Sequence, residues 1–326
     1  MEEFPPTPEL ASHPNDGFFK AIFSEPTHAT AFFKSHLPSA IVERIDWPSL
    51  KMIPGSFVKS SLQQVHSDLL FSVHYGGHET LLYLLFEHQS TVDPAMPLRL
   101  LGYVGEILQR HHKMHGFPLP PVIPFILHQG PDHWNVSAAF EDMFALPPDI
   151  AEELLPFLPK FHHGLLDLSR CDPANEESDP QIKIVLHLMK LARERQLLEY
   201  FRWLADSFVE RIPESLLGRL LLYALHADSE LDAQQIYTNL SSNIGLRNRA
   251  MSIAEKLKTE GRVEGITQGI TQGREAGIWI GKIQILEELL GKPQTSLNLL
   301  GTLSNMELEA CYVTLHLEYE ARFKRS

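Results

Sequence analysis

The sequence predicts an α/β fold with a helical C-terminal region, and three observations support this prediction. Two short apolar runs flank the turn signal Tyr75-Gly76-Gly77-His78, which is typical of a β-hairpin. Helix and strand patterns occur in the order helix, strand, strand, helix, strand as far as His128. Beyond residue 180 the apolar residues recur at helical spacing, and a ladder of regularly spaced glycines follows.

The N-terminal part predicts a mobile lead-in followed by one helix. Residues 1–15 carry four prolines and no periodicity. The helix is predicted from Gly17 to Lys34, with phenylalanines among its apolar positions. Asn15 or Asp16 is the candidate N-cap, since both residue types are favoured there.

The hairpin holds the most informative polar residues. Asp68 opens its first strand, and Glu87 and Gln89 close the second. Strand alternation puts Glu87 and Gln89 on one side of the sheet, and pairing about the Gly-Gly turn brings Asp68 beside Glu87. Two carboxylates on a sheet of Leu, Phe and Val are costly without a cation, so the stretch is a candidate cation site. The residues alone favour the alternative, in which Asp68 caps a strand and Glu87 forms a surface ion pair.

The segments around the hairpin complete the predicted α/β region. Residues 35–65 look irregular, with an early strand placed near residues 50–58. Pro94 and Pro97 open a helix that runs to about Met114, with Arg99 and Arg110 off its apolar stripe as either phosphate contacts or solvated charges. The predicted stripe is Leu98, Leu101, Val104 and Leu108. Residues 120–128 predict a buried strand, apolar on both faces.

The second half of the chain predicts helices. The acidic stretch 129–180 ends in a linker candidate at 172–180, whose acids we expect to be solvated. A long helix is predicted from Ile182 to Leu204 and another over Leu216–Leu225. These helices would form a lobe packed on the α/β core or a partner-binding surface. The predicted domains are therefore 1–178, a helical lobe at 179–250 and a tail at 251–326.

The tail carries six glycines at every fourth position from Gly261 to Gly281. Six glycines within a helix cost about 5–6 kcal/mol relative to alanine, which a lone helix would not sustain. The bare stripe would allow two helix backbones to approach closely. We prefer a helical self-association element to the alternative, a flexible linker. A last helix is predicted from the capping box of Ser304 and Glu307.

Composition bounds the class of protein. Hydrophobic residues make up 44% of the 326 residues, and no apolar run is long enough to span a bilayer. The acidic, proline-rich N-terminus is unlike a signal peptide, and Cys171 and Cys311 lie far apart, so we expect a reduced, cytoplasmic protein. The net charge of −13 argues against easy nucleic-acid binding, because phosphate contacts depend on Lys and Arg. Residues 131–180 hold 11 acidic and 2 basic residues, and no segment of the chain is strongly basic. Any contact with nucleic acid must therefore use a local patch and metal ions.

The chain contains 17 histidines, which raises the question of a zinc site. His111, His112 and His115 lie near a helix end, but only His111 and His115 share a helix face. The His-Glu-x-x-His pattern is absent, and the cysteines are not spaced for a zinc knuckle. We interpret these histidines as a solvated or phosphate-facing patch.

Four stretches carry a resemblance to a known family. They are Asp16–Lys20, Ser67–Ser72, Glu87–Ser90 and Met251–Glu255 with its glycine-spaced tail. An Asp, a hairpin and then Glu-x-Lys form the active-site skeleton of PD-(D/E)xK nucleases. Together the stretches resemble the Rpn family of recombination-promoting nucleases, also called YhgA-type transposases, over nearly the whole chain.

The resemblance implies a restriction-endonuclease-like αβββαβ core and a divalent-metal-dependent DNA endonuclease of recombination or mobile elements. Asp68 and Glu87 would hold Mg²⁺, or Mn²⁺ or Ca²⁺, with the His88 carbonyl as a further ligand. Gln89 stands where the wider class has Lys; it can orient water but carries no charge. Asp16 is either the helix cap or a catalytic acid, since related nucleases use an acid from the first helix.

Two functions from different classes stay open. One is the metal-dependent DNA endonuclease, acting as a homo-oligomer through its tail and away from any membrane. The other is a catalytically weak or inactive nuclease-fold protein that acts as a regulatory or partner-binding module, as the acidic charge and the missing Lys would favour.

Overall fold

A computed structural model describes residues 13–53, 69–207 and 212–323. The chain divides into two compact units, with the boundary between Ile253 and Ala254. The sheet and the helices as far as Asn239 lie in the first unit, and the boundary falls within the long helix that begins at Ile244. The predicted division at residues 178 and 250 therefore stays a prediction.

The described chain is mixed α/β, as predicted, with helices throughout its C-terminal part. The strands are β1 (Ile45–Ile53), β2 (Leu69–Tyr75), β3 (His78–Gln89), β4 (Val122–His128) and β5 (Gly164–Asp167). The helices before and within the sheet region are α1 (Pro14–Phe23), α2 (Pro26–His36), α3 (Ser39–Val42), α4 (Met96–His115) and α5 (Pro148–Leu154). The later helices are α6 (Pro173–Glu176), α7 (Pro180–Arg193), α8 (Leu197–Ser207), α9 (Glu214–Ala227), α10 (Ala233–Asn239), α11 (Ile244–Leu290), α12 (Leu297–Leu300) and α13 (Asn305–Phe323).

The five strands form one sheet in the order β1-β2-β3-β4-β5. The first three are antiparallel, and β3, β4 and β5 run parallel. The hairpin between β2 and β3 is confirmed, and its two glycines have φ values of 72° and 74°, which glycine adopts without strain. The irregular region contains β1 from Ile45, earlier than expected. The short strand β5 was not predicted, because four residues reading Gly-Leu-Leu-Asp show no alternation.

Each face of the sheet is covered by helices. The even-numbered residues of β3 face α1 and α2, where Phe86 packs on Phe19 and Phe32 with ring centroids 4.8 and 4.5 Å apart. The odd-numbered residues face α4, where Leu85 and Tyr103 share a buried cluster. The two faces thus separate an aromatic layer from the layer that contains α4.

The buried stripe of α4 differs from the predicted one. Leu98 is 59% exposed, and the buried residues are Met96, Pro97, Leu100, Tyr103, Ile107 and His111. Both stripes have helical spacing, so periodicity could not choose between them. His111 is also buried rather than solvated, and its Nδ1 lies 3.0 Å from the hydroxyl oxygen of Tyr83.

Two predicted helices are each broken in two. The first breaks at Pro26, whose ring and missing N–H cannot continue a helix. It also begins at Pro14, so Asn15 and Asp16 lie in the first turn and neither is the N-cap. The helix predicted over 182–204 breaks at Arg195, which has a φ of 58°. Neither Gly nor Pro marks that break in the sequence.

The linker candidate at 172–180 is a packed part of the first unit. It contains α6, and Glu177 is only 5% exposed. The Glu177 carboxylate lies 2.9 Å from Nε2 of His36 and accepts a hydrogen bond of 2.9 Å from the Ser35 hydroxyl. The expectation of solvated acids is therefore wrong at Glu177, which joins α2 to the start of the helical lobe.

The second unit has its own small core. Ile283, Leu300 and Leu308 are buried there, with Trp279 and Tyr312 packed against them. The predicted capping box is confirmed, since the backbone N–H of Ser304 donates to Glu307 and the N–H of Glu307 donates to the Ser304 hydroxyl. None of the helices in the described ranges combines the length and apolar character that a membrane span requires.

Candidate functional site

The last residues of β3 place a carboxylate beside an amide. Glu87 is completely buried. The Gln89 side-chain N–H donates to Glu87 Oε2 over 3.2 Å, as expected for residues on one side of a strand. The site therefore contains a buried acidic group at the end of β3, bonded to the neutral side chain two residues further on.

Asp68 lies outside the described residues. The last described pair of the hairpin joins Leu69 to Phe86, and Leu70 belongs to the cluster on the α4 face. The prediction that Asp68 and Glu87 share one cation stays a prediction. In the described ranges no three His, Cys, Asp or Glu side chains converge to form a metal site.

A cation from α4 stands over the same face as Glu87. Arg99 donates to Asp93 Oδ2 over 2.9 Å and to the Tyr103 hydroxyl over 3.1 Å. Burial by itself would lower the pKa of Arg99. The bonds to Asp93 and Tyr103, together with the negative charge of Glu87, outweigh that effect and raise the pKa.

The side chain of His88 points to the opposite face of the sheet. Its Nδ1 lies 2.8 Å from Asp16 Oδ1, and its Nε2 lies 2.9 Å from Gln129 Oε1. The ring also stacks on Phe19, with centroids 5.3 Å apart. Asp16 therefore contacts the strand of Glu87 and Gln89 through His88 rather than from the α4 face.

Gln129 extends this contact into the helical lobe. Its side-chain N–H groups donate to the Met189 carbonyl and to the Tyr223 hydroxyl, both over 2.8 Å. The Tyr223 hydroxyl donates in turn to Asn15 Oδ1 over 2.7 Å. We call Asn15, Asp16, His88, Gln129 and Tyr223 the relay.

The chemistry of its members fixes the direction of the relay. The carbonyl of Met189 only accepts hydrogen bonds, so Gln129 must turn its amide N–H groups toward it and its oxygen toward His88. The Nε2 of His88 therefore donates to Gln129. An ionised Asp16 also only accepts, so Nδ1 donates to it.

The environment of Asp16 supports its ionised form. Burial by itself would raise the pKa of Asp16. The hydrogen bond and charge of His88, together with His13 and Lys20, outweigh burial and lower the pKa below its ordinary value.

Two residues next to Gln89 were not singled out from the sequence. The strand register places Gln89, His128 and Asp167 in one row at the carboxyl ends of the three parallel strands. His128 Nε2 donates to the Asp132 carbonyl over 2.8 Å, and its ring packs so closely on Gly130 that a Cβ there would lie 2.3 Å from it. The signal that could have found His128 is its position as the last residue of an apolar strand.

The Asp167 carboxylate is held by the loops that follow β4 and β5. It accepts hydrogen bonds from the backbone N–H of Trp134 over 2.9 Å and from the backbone and hydroxyl of Ser169. Burial by itself would raise the pKa of Asp167, but these bonds and the nearby His128 lower it. An ionised carboxylate therefore closes the row, in a position that a four-residue strand gave no reason to expect.

The arrangement is a polar site at the carboxyl ends of parallel strands, where α/β proteins commonly bind ligands. The family model of YhgA-like transposases matches residues 13–214. Recombination-promoting nuclease RpnD of Escherichia coli O157:H7 is 30% identical over 256 residues, which cover 76% of this chain and 95% of RpnD. The chain thus belongs to the YhgA-like family that includes the Rpn recombination-promoting nucleases.

Two further relatives mark the range of activity in the family. Recombination-promoting nuclease RpnC of Escherichia coli K12 is 30% identical over 188 residues, 57% of this chain and 60% of RpnC. The inactive recombination-promoting nuclease-like protein RpnE of the same strain is 26% identical over 264 residues, 78% of this chain and 85% of RpnE. No solved structure matches the chain.

Proposed function

We propose that the protein is a divalent-metal-dependent DNA endonuclease that acts in recombination or on mobile elements. The observation that supports it best is the buried Glu87 carboxylate beside Gln89, in a chain whose relatives are named recombination-promoting nucleases. The order of one helical region, three strands, a helix and a strand agrees with the proposed restriction-endonuclease-like core.

The proposed metal ligands are Asp68, Glu87 and the carbonyl of His88. An all-oxygen set of this kind suits Mg²⁺, and the buried Glu87 carboxylate fits a hard cation. When bound, the ion would stabilise charge on the phosphate and make water a better nucleophile. Gln89 would orient that water. Asp16, predicted from the sequence as a further catalytic residue, is proposed here as a positioning residue, because its carboxylate contacts the His88 side chain on the opposite face of the sheet.

Plasmid cleavage tests this proposal. Glu87→Gln and Asp68→Ala should each lower the Mg²⁺-dependent nicking rate by about a hundredfold or more, since a metal ion supplies several kcal/mol to the transition state. Asp149→Asn, which removes one exposed carboxylate, should cleave like the wild type. EDTA should abolish cleavage by the wild type. Equal nicking by the wild type and Glu87→Gln would refute the proposed site.

A second candidate is an inactive nuclease-fold protein that binds partners. The observations that favour it are the neutral Gln89, whose amide donates to Glu87, and the relative RpnE, which is named inactive. Purified wild-type protein that binds DNA or a protein partner but does not cleave under Mg²⁺ or Mn²⁺ would support this candidate.

We also propose self-association through the C-terminal tail. In the described part of the glycine ladder, Gly273 and Gly277 are exposed, and a Cβ on Gly273, Gly277 or Gly281 would meet open space. A partner helix could approach this stripe closely. A chain truncated before Met251 should form smaller oligomers than the full chain. Sedimentation velocity would show this as a fall in the sedimentation coefficient larger than the loss of the tail's own mass explains.

A further inference from the structure

Arg99 lies on the same face of the sheet as the proposed metal site, which has no positively charged side chain at Gln89. Gln89 carries no charge, although the site combines Glu87, the nearby Asp93 and, during cleavage, a phosphodiester. A phosphoryl group gains negative charge on its oxygens as it reacts, and enzymes meet that charge with Lys, Arg or metal ions. A second positive charge beside the metal would therefore have a defined role.

The structure brings Arg99 to the correct face of the sheet. It lies in the first turn of α4, which packs its residues Leu100 and Tyr103 against Leu85 and Ile126. Leu85 and Glu87 project from the same side of β3. The effect of the Glu87 charge on the pKa of Arg99 is consistent with this proximity.

The guanidinium is held firmly but is not enclosed. Its bonds to Asp93 and Tyr103 fix two of the five N–H groups that an arginine carries, and it lies over the Tyr103 ring at 5.9 Å. Asp93 is itself fixed, since its Oδ1 accepts from the backbone N–H of Ala95 over 2.9 Å. The Arg99 side chain remains 31% exposed, so a phosphate could reach it from solvent.

We propose that Arg99 is a further catalytic residue, which binds the scissile phosphate and supplies the positive charge that Gln89 cannot. This assignment rests on the proposed nuclease function. In the step concerned, the water oxygen bonds to phosphorus, the bond from phosphorus to the leaving sugar oxygen breaks, and that oxygen gains a proton while the water loses one. Arg99 keeps its own protons and stabilises the charge on the non-bridging oxygens.

Relocating the charge tests the assignment. Arg99→Ala should lower kcat about 10²- to 10³-fold with a smaller change in KM, as removal of one transition-state donor does. The kcat of Arg99→Lys, and that of the double variant Arg99→Ala with Gln89→Lys, should each be at least about tenfold higher than the kcat of Arg99→Ala, because each restores a positive charge. Arg202→Ala, which removes an exposed guanidinium from α8, should cleave like the wild type.

The alternative is that Arg99 only braces the start of α4 through Asp93. Arg99→Ala would then lower the melting temperature, and neither lysine variant would cleave faster than Arg99→Ala. That result, or cleavage by Arg99→Ala within about threefold of the wild type, would overturn the assignment while leaving Glu87-dependent cleavage intact. Absence of cleavage by the wild type would instead overturn the proposed function, and this assignment with it.

Discussion

The relay offers the sharpest test of how the site strand is positioned. Tyr223 is completely buried and joins the helical lobe to α1 and to Gln129 through two hydrogen bonds of 2.7 and 2.8 Å. Tyr223→Phe removes only the hydroxyl. The ring can keep its stacking on Phe18, whose centroid lies 4.2 Å away.

The expected cost follows from the groups left behind. One side-chain N–H of Gln129 and the side-chain oxygen of Asn15 would each lose a hydrogen-bond partner. Each such loss in a buried setting lowers the free energy of unfolding by about 1–1.5 kcal/mol. We therefore expect Tyr223→Phe to lower the free energy of unfolding by about 2–3 kcal/mol. The side-chain nitrogen of Gln129 already lies 3.5 Å from Asn15 Oδ1. If these two atoms approach and bond in Tyr223→Phe, the loss in the free energy of unfolding will be at the lower end of that range.

Tyr200→Phe is the matched control. Tyr200 is equally buried in the lobe, but its hydroxyl makes one described bond, to the Ile184 carbonyl over 3.1 Å. Urea unfolding should give Tyr200→Phe about half the loss of Tyr223→Phe. Only Tyr223→Phe should also shift the His88 ring signals in an NMR spectrum, since Gln129 holds that ring. Equal losses with unchanged His88 signals would refute the relay as a positioning device.

Two further predictions concern packing and charge away from Glu87. Gly130→Ala should lower the free energy of unfolding by about 1–3 kcal/mol, because its Cβ would lie 2.3 Å from the His128 ring. Gly105→Ala, whose Cβ would meet open space on α4, should leave the stability unchanged or raise it. Thermal unfolding of the two variants tests the difference. Burial by itself would raise the pKa of Glu177, but hydrogen bonds from His36, the Asp179 backbone and Ser35 lower it. Because the pKa of the folded state is below the ordinary value of 4.5, Glu177 stabilises the fold at pH values above 4.5. That stabilisation is lost as the pH falls through the lower pKa of the folded state. Glu177→Gln should flatten the acid side of the stability curve, and an unchanged slope in urea titrations between about pH 3 and 5 would contradict this.

Local pattern predicted the elements whose signals are local. The Gly-Gly hairpin, the strand ending at His128, the helix predicted over Leu216–Leu225 and the Ser304 capping box were all found from neighbouring residues. The pairing of Glu87 with Gln89 on one side also follows from strand alternation alone. The failures occur where two patterns were equally good or no signal existed, as with the stripe of α4 and the break at Arg195.

The sequence by itself determined the α/β class, the family and the acidic strand end, because these depend on the order and spacing of residues along the chain. Only the tertiary structure decided that Arg99 shares a face with Glu87, that Asp16 meets His88 on the other face, and that His128 and Asp167 continue the row from Gln89. The residues brought together in this way lie from 12 to more than 70 positions apart in the sequence. Their geometry is set by which helix face packs on the sheet and by strand register, and neither can be read from a single segment.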